Sequence, residues 1–159
     1  MMEELRELYQ EVILDHGKNP RNFRHPANAN REAHGHNPMC GDTVTVYLAL
    51  DEKGVIHDAA FEGRGCAISM ASASMMTEIL KGKSADEAKR LFDSFQAMCT
   101  KEGAEMASGS DLDADAVERL QVLSGVREFP VRVKCATLAW HTMNNAVADG
   151  NPSEAISTE

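Results

Sequence analysis

Apolar positions in residues 3–16 recur at helical spacing. Leu5, Leu8, Tyr9, Val12 and Ile13, with His16 closing the stripe, predict an amphipathic helix. Gly17 and the Asn19-Pro20 pair stop it, and residues 17–30 read as a loop. The period then changes. In 43–50, Val44, Val46, Leu48 and Leu50 alternate with Thr43, Thr45, Tyr47 and Ala49, the pattern of a half-buried strand. Residues 51–54 make a turn, and 55–62 return as a second strand. Ile56 there falls opposite Val55, Ala59 and Phe61, which a bulge explains. A third strand over 31–36 is weakly marked.

From Gly65 onward the period is helical. Residues 66–81 place Ile68, Ala71, Met75 and Ile79 on one face, with Gly82 as the stop. Ser84 and Glu87 form a capping box for a helix over 85–98 that buries Ala88, Leu91, Phe92 and Phe95. Residues 100–111 read as a loop. A short helix over 113–124 ends at Gly125, and Pro130 precedes a last helix over about 133–148. The pattern predicts an α+β fold, a small antiparallel three-stranded sheet packed against about five helices. It is expected to be one domain over 1–148, with 149–159 a polar, disordered tail.

Composition narrows the function. The 159 residues are 43% hydrophobic and 26% charged, enough for one real core. There is no run of 18 apolar residues for a membrane, and the acidic start MMEELRELYQ is unlike a signal peptide. A net charge of -9 repels phosphate backbones, and 5% aromatics leave little for base stacking. The expected setting is therefore the reducing cytoplasm, without nucleic acid or membrane partners. There the four cysteines Cys40, Cys66, Cys99 and Cys135 point to metal or thiol chemistry rather than disulfides.

Three of those cysteines sit where the chain changes direction. Cys40 lies in NPMCGD, where a loop enters a strand, and extended geometry aims Cys40 and Asp42 to one side with Gly41 between them. Cys66 ends GRGC at a strand-to-helix junction, where a helix N-terminus favours thiolate. Cys135 is expected at the start of the last helix, with Arg132 and Lys134 beside it. Three thiolates and one carboxylate make a tetrahedral zinc-type set, whose negative charge Arg64, Arg132 and Lys134 would offset. The carboxylate, a harder ligand, suggests an exchangeable position. From spacing alone the alternative stays open, because no CxxC pair occurs and each cysteine could be a small buried hydrophobe.

NPMCGD, GRGCAISMASASMMTEIL and FPVRVKCATLAWHTM, together with the opening LYQEVILDHGKNPRN, resemble the SufU branch of the iron–sulfur cluster assembly family, which also holds the IscU scaffolds and the N-terminal domain of NifU. The resemblance runs from about residue 5 to 148. It implies that Cys40, Asp42, Cys66 and Cys135 are ligands of Zn²⁺ or of a transient [2Fe–2S] cluster. Lys134 stands where scaffold-type members carry histidine, and residues about 100–125 look like an insertion relative to them. Both features resemble the SufU type. They imply a zinc-dependent sulfurtransferase partner of a pyridoxal-phosphate cysteine desulfurase, passing sulfur to the downstream iron–sulfur assembly machinery. In that reading Cys40 is the sulfur acceptor, and Arg132 and Lys134 stabilise thiolate or persulfide. The alternatives are a scaffold handing on a [2Fe–2S] cluster, and an interaction protein with a structural zinc.

The remaining candidates read as structural. Cys99 falls on the apolar face of the 85–98 helix. His34 and His36 are spaced to flank a metal on an extended segment but fit surface histidines better. His141 is expected in solvent, and Met76 off the main apolar face, lining a partner surface.

Overall fold

The computed structural model describes residues 2–38, 41–100, 114–148 and 156–157. An N-terminal helix α1 (Met2–Lys18) is followed by β1 (Arg31–Asn37), β2 (Asp42–Leu50) and β3 (Ile56–Arg64). Then come α2 (Ala67–Leu80), α3 (Ala85–Thr100), α4 (Ala114–Leu120), a 3₁₀ helix (Gln121–Glu128), α5 (Pro130–Val147) and a two-residue strand β4 (Ile156–Ser157). The sheet order is β3-β2-β1-β4. The three long strands form an antiparallel meander, as the alternation predicts, and β4 adds to the β1 edge in parallel.

The expected bulge lies between Ala49 and Leu50. Leu50 pairs with Ile56 while Ala49 pairs with Asp58, so His57 is the extra residue. The inward positions Ala33, Val46, Leu48, Ala59 and Phe61 are fully buried and face α5 and α2. On the outward face His34 is held by Thr45 at 2.8 Å and Glu32 at 2.9 Å. Both of its ring nitrogens are thus occupied by structural partners. The capping box forms, with Glu87 N–H donating to Ser84 Oγ at 3.1 Å.

Three differences from the sequence reading have physical causes. The 3₁₀ helix runs through Gly125 to Glu128, because its apolar side, Leu123 and Val126, packs into the core. α5 begins at Pro130, whose fixed φ suits a first helical position, so Cys135 lies in the second turn and not at the start. α2 is buried on nearly every side, between α1 and α5. Small Ala and Ser side chains let those helices approach, and Met76 is fully buried rather than at a partner surface. Cys99 is buried in the core. Its neighbour Phe95 tilts against the buried Trp140 ring at 5.3 Å.

Burying the polar residues of α2 requires partners for them. His16 of α1 shares a 2.7 Å hydrogen bond between Nδ1 and Ser74 Oγ, which also accepts the Arg21 N–H at 2.8 Å. Glu78 lies 3.9 Å from His16 Nε2 and is held by Arg119 at 2.7 Å. Burial, and then the charge of Arg21, push the His16 pKa below 6.5 despite the opposing pull of Glu78. His141 is not in solvent. It is half-buried with its ring edge-on to Phe92 at 4.9 Å, and burial lowers its pKa too. A histidine whose folded pKa is depressed contributes stability that is present above its unfolded pKa and is lost as pH falls through and below about 6.5. The melting temperature should therefore fall between pH 7.5 and pH 5.5, and His16→Gln should flatten part of that slope. A slope identical in the variant would show that His16 is not titrating against the fold.

Candidate metal centre

The meander delivers two donors to one end of the sheet. Asn37 ends β1 and pairs with Asp42, which opens β2, so the turn between them sits at that end. The turn is closed by the Gly41 N–H donating to the Asn37 carbonyl at 2.8 Å. Gly41 has φ 73°, a conformation glycine adopts without strain. β3 returns to the same end, where Thr43 pairs with Arg64, and Gly65 leads into Cys66. A Cβ on Gly65 would fall 2.7 Å from Asp42 Oδ1, so the strand-to-helix turn passes against the carboxylate only because that position is bare.

Cys66 is the N-cap of α2, and its sulfur accepts the Ser69 N–H at 3.5 Å. Its own N–H donates to Asp42 Oδ1 at 3.0 Å, and its sulfur lies 4.0 Å from Asp42 Oδ2. Cys135 reaches the same point from α5. One donor atom each from Asp42, Cys66 and Cys135 lie within 4.8 Å of one another, and no other such group of three occurs among the described residues. Asp42 and Cys135 are buried, while Cys66 is partly open. Cys40 lies outside the described residues.

The donor set suits zinc. Tetrahedral Zn²⁺ with thiolate and carboxylate ligands holds its donors about 3.5–3.8 Å apart, so small side-chain rotations bring these three into range. Arg132, exposed on the first turn of α5, faces both sulfurs. Its pKa is held above the ordinary value by Cys66 first and then by Cys135. Arg64 is exposed at the end of β3 and Lys134 is half-buried on α5. His34 and His36 are on β1, outside the donor group.

The sequence reading missed Asn37. It is fully buried, and its side-chain amide points at Cys135 Sγ, 3.9 Å away. The signal was present as the inward alternation Ala33, Gly35, Asn37, but the weakly marked strand was expected to stop at 36.

The chain is similar to known proteins. The NifU-like N terminal domain family matches residues 8–103. The zinc-dependent sulfurtransferase SufU of Bacillus subtilis is 43% identical over 141 residues, covering 89% of this chain and 90% of that one. The iron–sulfur cluster assembly scaffold protein IscU of Streptococcus pyogenes is 40% identical over 147 residues, covering 92% and 86%. A crystal structure of an iron–sulfur cluster assembly scaffold protein for the SUF system, from Fervidobacterium islandicum, superposes with a TM-score of 0.75. It is 34% identical and covers 86% of this chain and 94% of that one.

Proposed function

The chain belongs to the NifU-like N-terminal domain family of iron–sulfur cluster assembly proteins, and from that membership we propose that it is a zinc-dependent sulfur acceptor that relays sulfur from a cysteine desulfurase. The observation that carries the reading is the convergence of Asp42, Cys66 and Cys135 from three elements, with the Arg132 guanidinium against both sulfurs. Lys134, in place of the histidine of scaffold-type members, supports transfer over cluster assembly.

Cys40, Asp42, Cys66 and Cys135 would hold the zinc, which when bound keeps thiols ionised near neutral pH. Cys40, which precedes Gly41 in the sequence, is the acceptor. Its thiolate attacks the outer sulfur of a persulfide on the desulfurase. A new S–S bond forms at Cys40, the old S–S bond breaks, and the electron pair leaves with the desulfurase cysteine as thiolate. No net redox change occurs. Arg132 holds positive charge where negative sulfur gathers, and Lys134 adds to it. The partner is a pyridoxal-phosphate enzyme, the setting cytoplasmic, and the sulfur goes on to cluster assembly. No helix among the described residues is long and apolar enough to cross a membrane.

Adding the zinc-loaded protein to a cysteine desulfurase should raise cysteine turnover severalfold. No stimulation would overturn the reading. The identity with a named scaffold, and the fitness of thiolates for iron–sulfur ligation, favour a second reading in which the same residues carry a [2Fe–2S] cluster as cargo. A protein purified without oxygen separates the two. Brown colour indicates the cluster, and a colourless protein with one zinc indicates transfer.

A further inference from the structure

We infer that Asn37 is a positioning residue of the metal centre, holding Cys135 through an N–H···S hydrogen bond and so marking Cys135 as a fixed ligand rather than the sulfur that transfers. The second half of this inference rests on the transfer reading above. Asn37 is fully buried at the end of β1, where an apolar side chain would satisfy packing alone. A buried amide costs stability unless its hydrogen bonds are made. Its Nδ2 donates to Cys135 Sγ at 3.9 Å, the long end for a sulfur acceptor.

The same residue ties the other parts of the centre together. Its carbonyl accepts the Gly41 N–H at 2.8 Å, which fixes Gly41 between the two strands. Its strand partner is Asp42. Turn, carboxylate and Cys135 are therefore set relative to one another through one residue. An N–H aimed at a thiolate stabilises its negative charge and lowers its nucleophilicity. Cys66 receives the equivalent contact from the Ser69 N–H at 3.5 Å. Two of the proposed ligand sulfurs are thus held by amide donors. Outer hydrogen bonds of this kind orient metal ligands and carry much of the affinity.

The test uses the full chain loaded with ¹¹³Cd²⁺. A scalar coupling between the cadmium nucleus and a side-chain amide proton of Asn37, transmitted through the Cys135 sulfur, is the expected result. In parallel, Asn37→Ala and Asn37→Asp should release zinc to a chelator about 10–100-fold more readily. Asn22→Ala, which removes an amide held by Thr77 away from the centre, should release it as the native chain does. An Asn37 amide without cadmium coupling, or Asn37 variants with native zinc release, would overturn the positioning role. A chain that shows the coupling yet fails to stimulate the desulfurase would keep the role and sink the transfer reading. A chain that binds no cadmium sinks both.

Discussion

Cys40→Ala is expected to return cysteine turnover to the desulfurase's own rate, while the variant keeps its fold. Each of the other two candidate sulfurs is a poorer acceptor for a structural reason. Cys135 is fully buried in the second turn of α5, so an incoming persulfide reaches it only if the groups covering it move. Cys66 is partly open, but its sulfur caps α2 through the Ser69 N–H and leans on Asp42. Moving it costs the cap, about 1 kcal/mol, as well as the ligand. Cys40 directly precedes Gly41 in the sequence, and Gly41 has a positive φ of 73° and donates its N–H to the Asn37 carbonyl. The measurement is alanine or sulfide production with wild-type and variant protein, alongside zinc content. Native stimulation by Cys40→Ala would move the acceptor role elsewhere. Cys66→Ala and Cys135→Ala should lose the stimulation together with the zinc, whereas Cys40→Ala should lose it with zinc still held by Asp42, Cys66 and Cys135.

Gly63→Ala should be the most destabilising small substitution in the described part of the sheet. Gly63 has φ 150°, a region in which other residues are strained. Its Cβ would fall 2.2 Å from the Thr43 carbonyl oxygen and 2.9 Å from Val44 Cα. Those atoms are backbone of the neighbouring strand, so they cannot swing aside as a side chain would. Overpacking costs about 2 kcal/mol and the backbone conformation about 2 more. About 4 kcal/mol is a large share of the roughly 5–15 kcal/mol that a domain has, and corresponds to a fall in melting temperature of about 10 °C. Gly54→Ala is the control. Gly54 also has positive φ, at 81°, but nothing lies within 4 Å of its missing Cβ, so about 1–2 kcal/mol is expected. Urea unfolding of both variants gives the comparison. Equal losses at the two positions would mean that β2 and β3 part there at no cost.

Local rules made the α+β class readable. β2 alternates cleanly because one of its faces meets α5. The bulge near Ala49, the capping box at Ser84 and the burial of Cys99 follow from short patterns as well. What stayed hidden depends on distant partners. α2 reads as having one apolar face, yet Ser69, Ser72, Ser74 and Thr77 are buried. Hydroxyls look polar in a sequence; Thr77 donates to the Ser74 carbonyl within α2, and His16, Arg21 and Asn22 bring the further partners of Ser74 and Thr77 from far along the chain. β1 was faint because Gly35 occupies an inward position. That position must be bare, since a Cβ there would collide with Thr142 Oγ1 of α5. The grouping of Asp42, Cys66 and Cys135 was suggested by residue type and by resemblance, and spacing could not have shown it. Asn37 was missed because its contact is with a residue 98 positions away.

That separation also dictates an order of events. Asp42 and Cys66 are 24 positions apart, and the meander can bring them together as soon as its third strand is made. Cys135 joins only when α5 has been synthesised and has docked across β1, β2 and α2. Closing so long a loop adds little entropy beyond closing a shorter one, but the closure has to wait for the rest of the chain. A nascent chain therefore carries an incomplete set of donors through most of its synthesis. The three grouped donors are complete only once α5 has docked, so if the proposed metal binds there, its firm retention would report that α5 is in place.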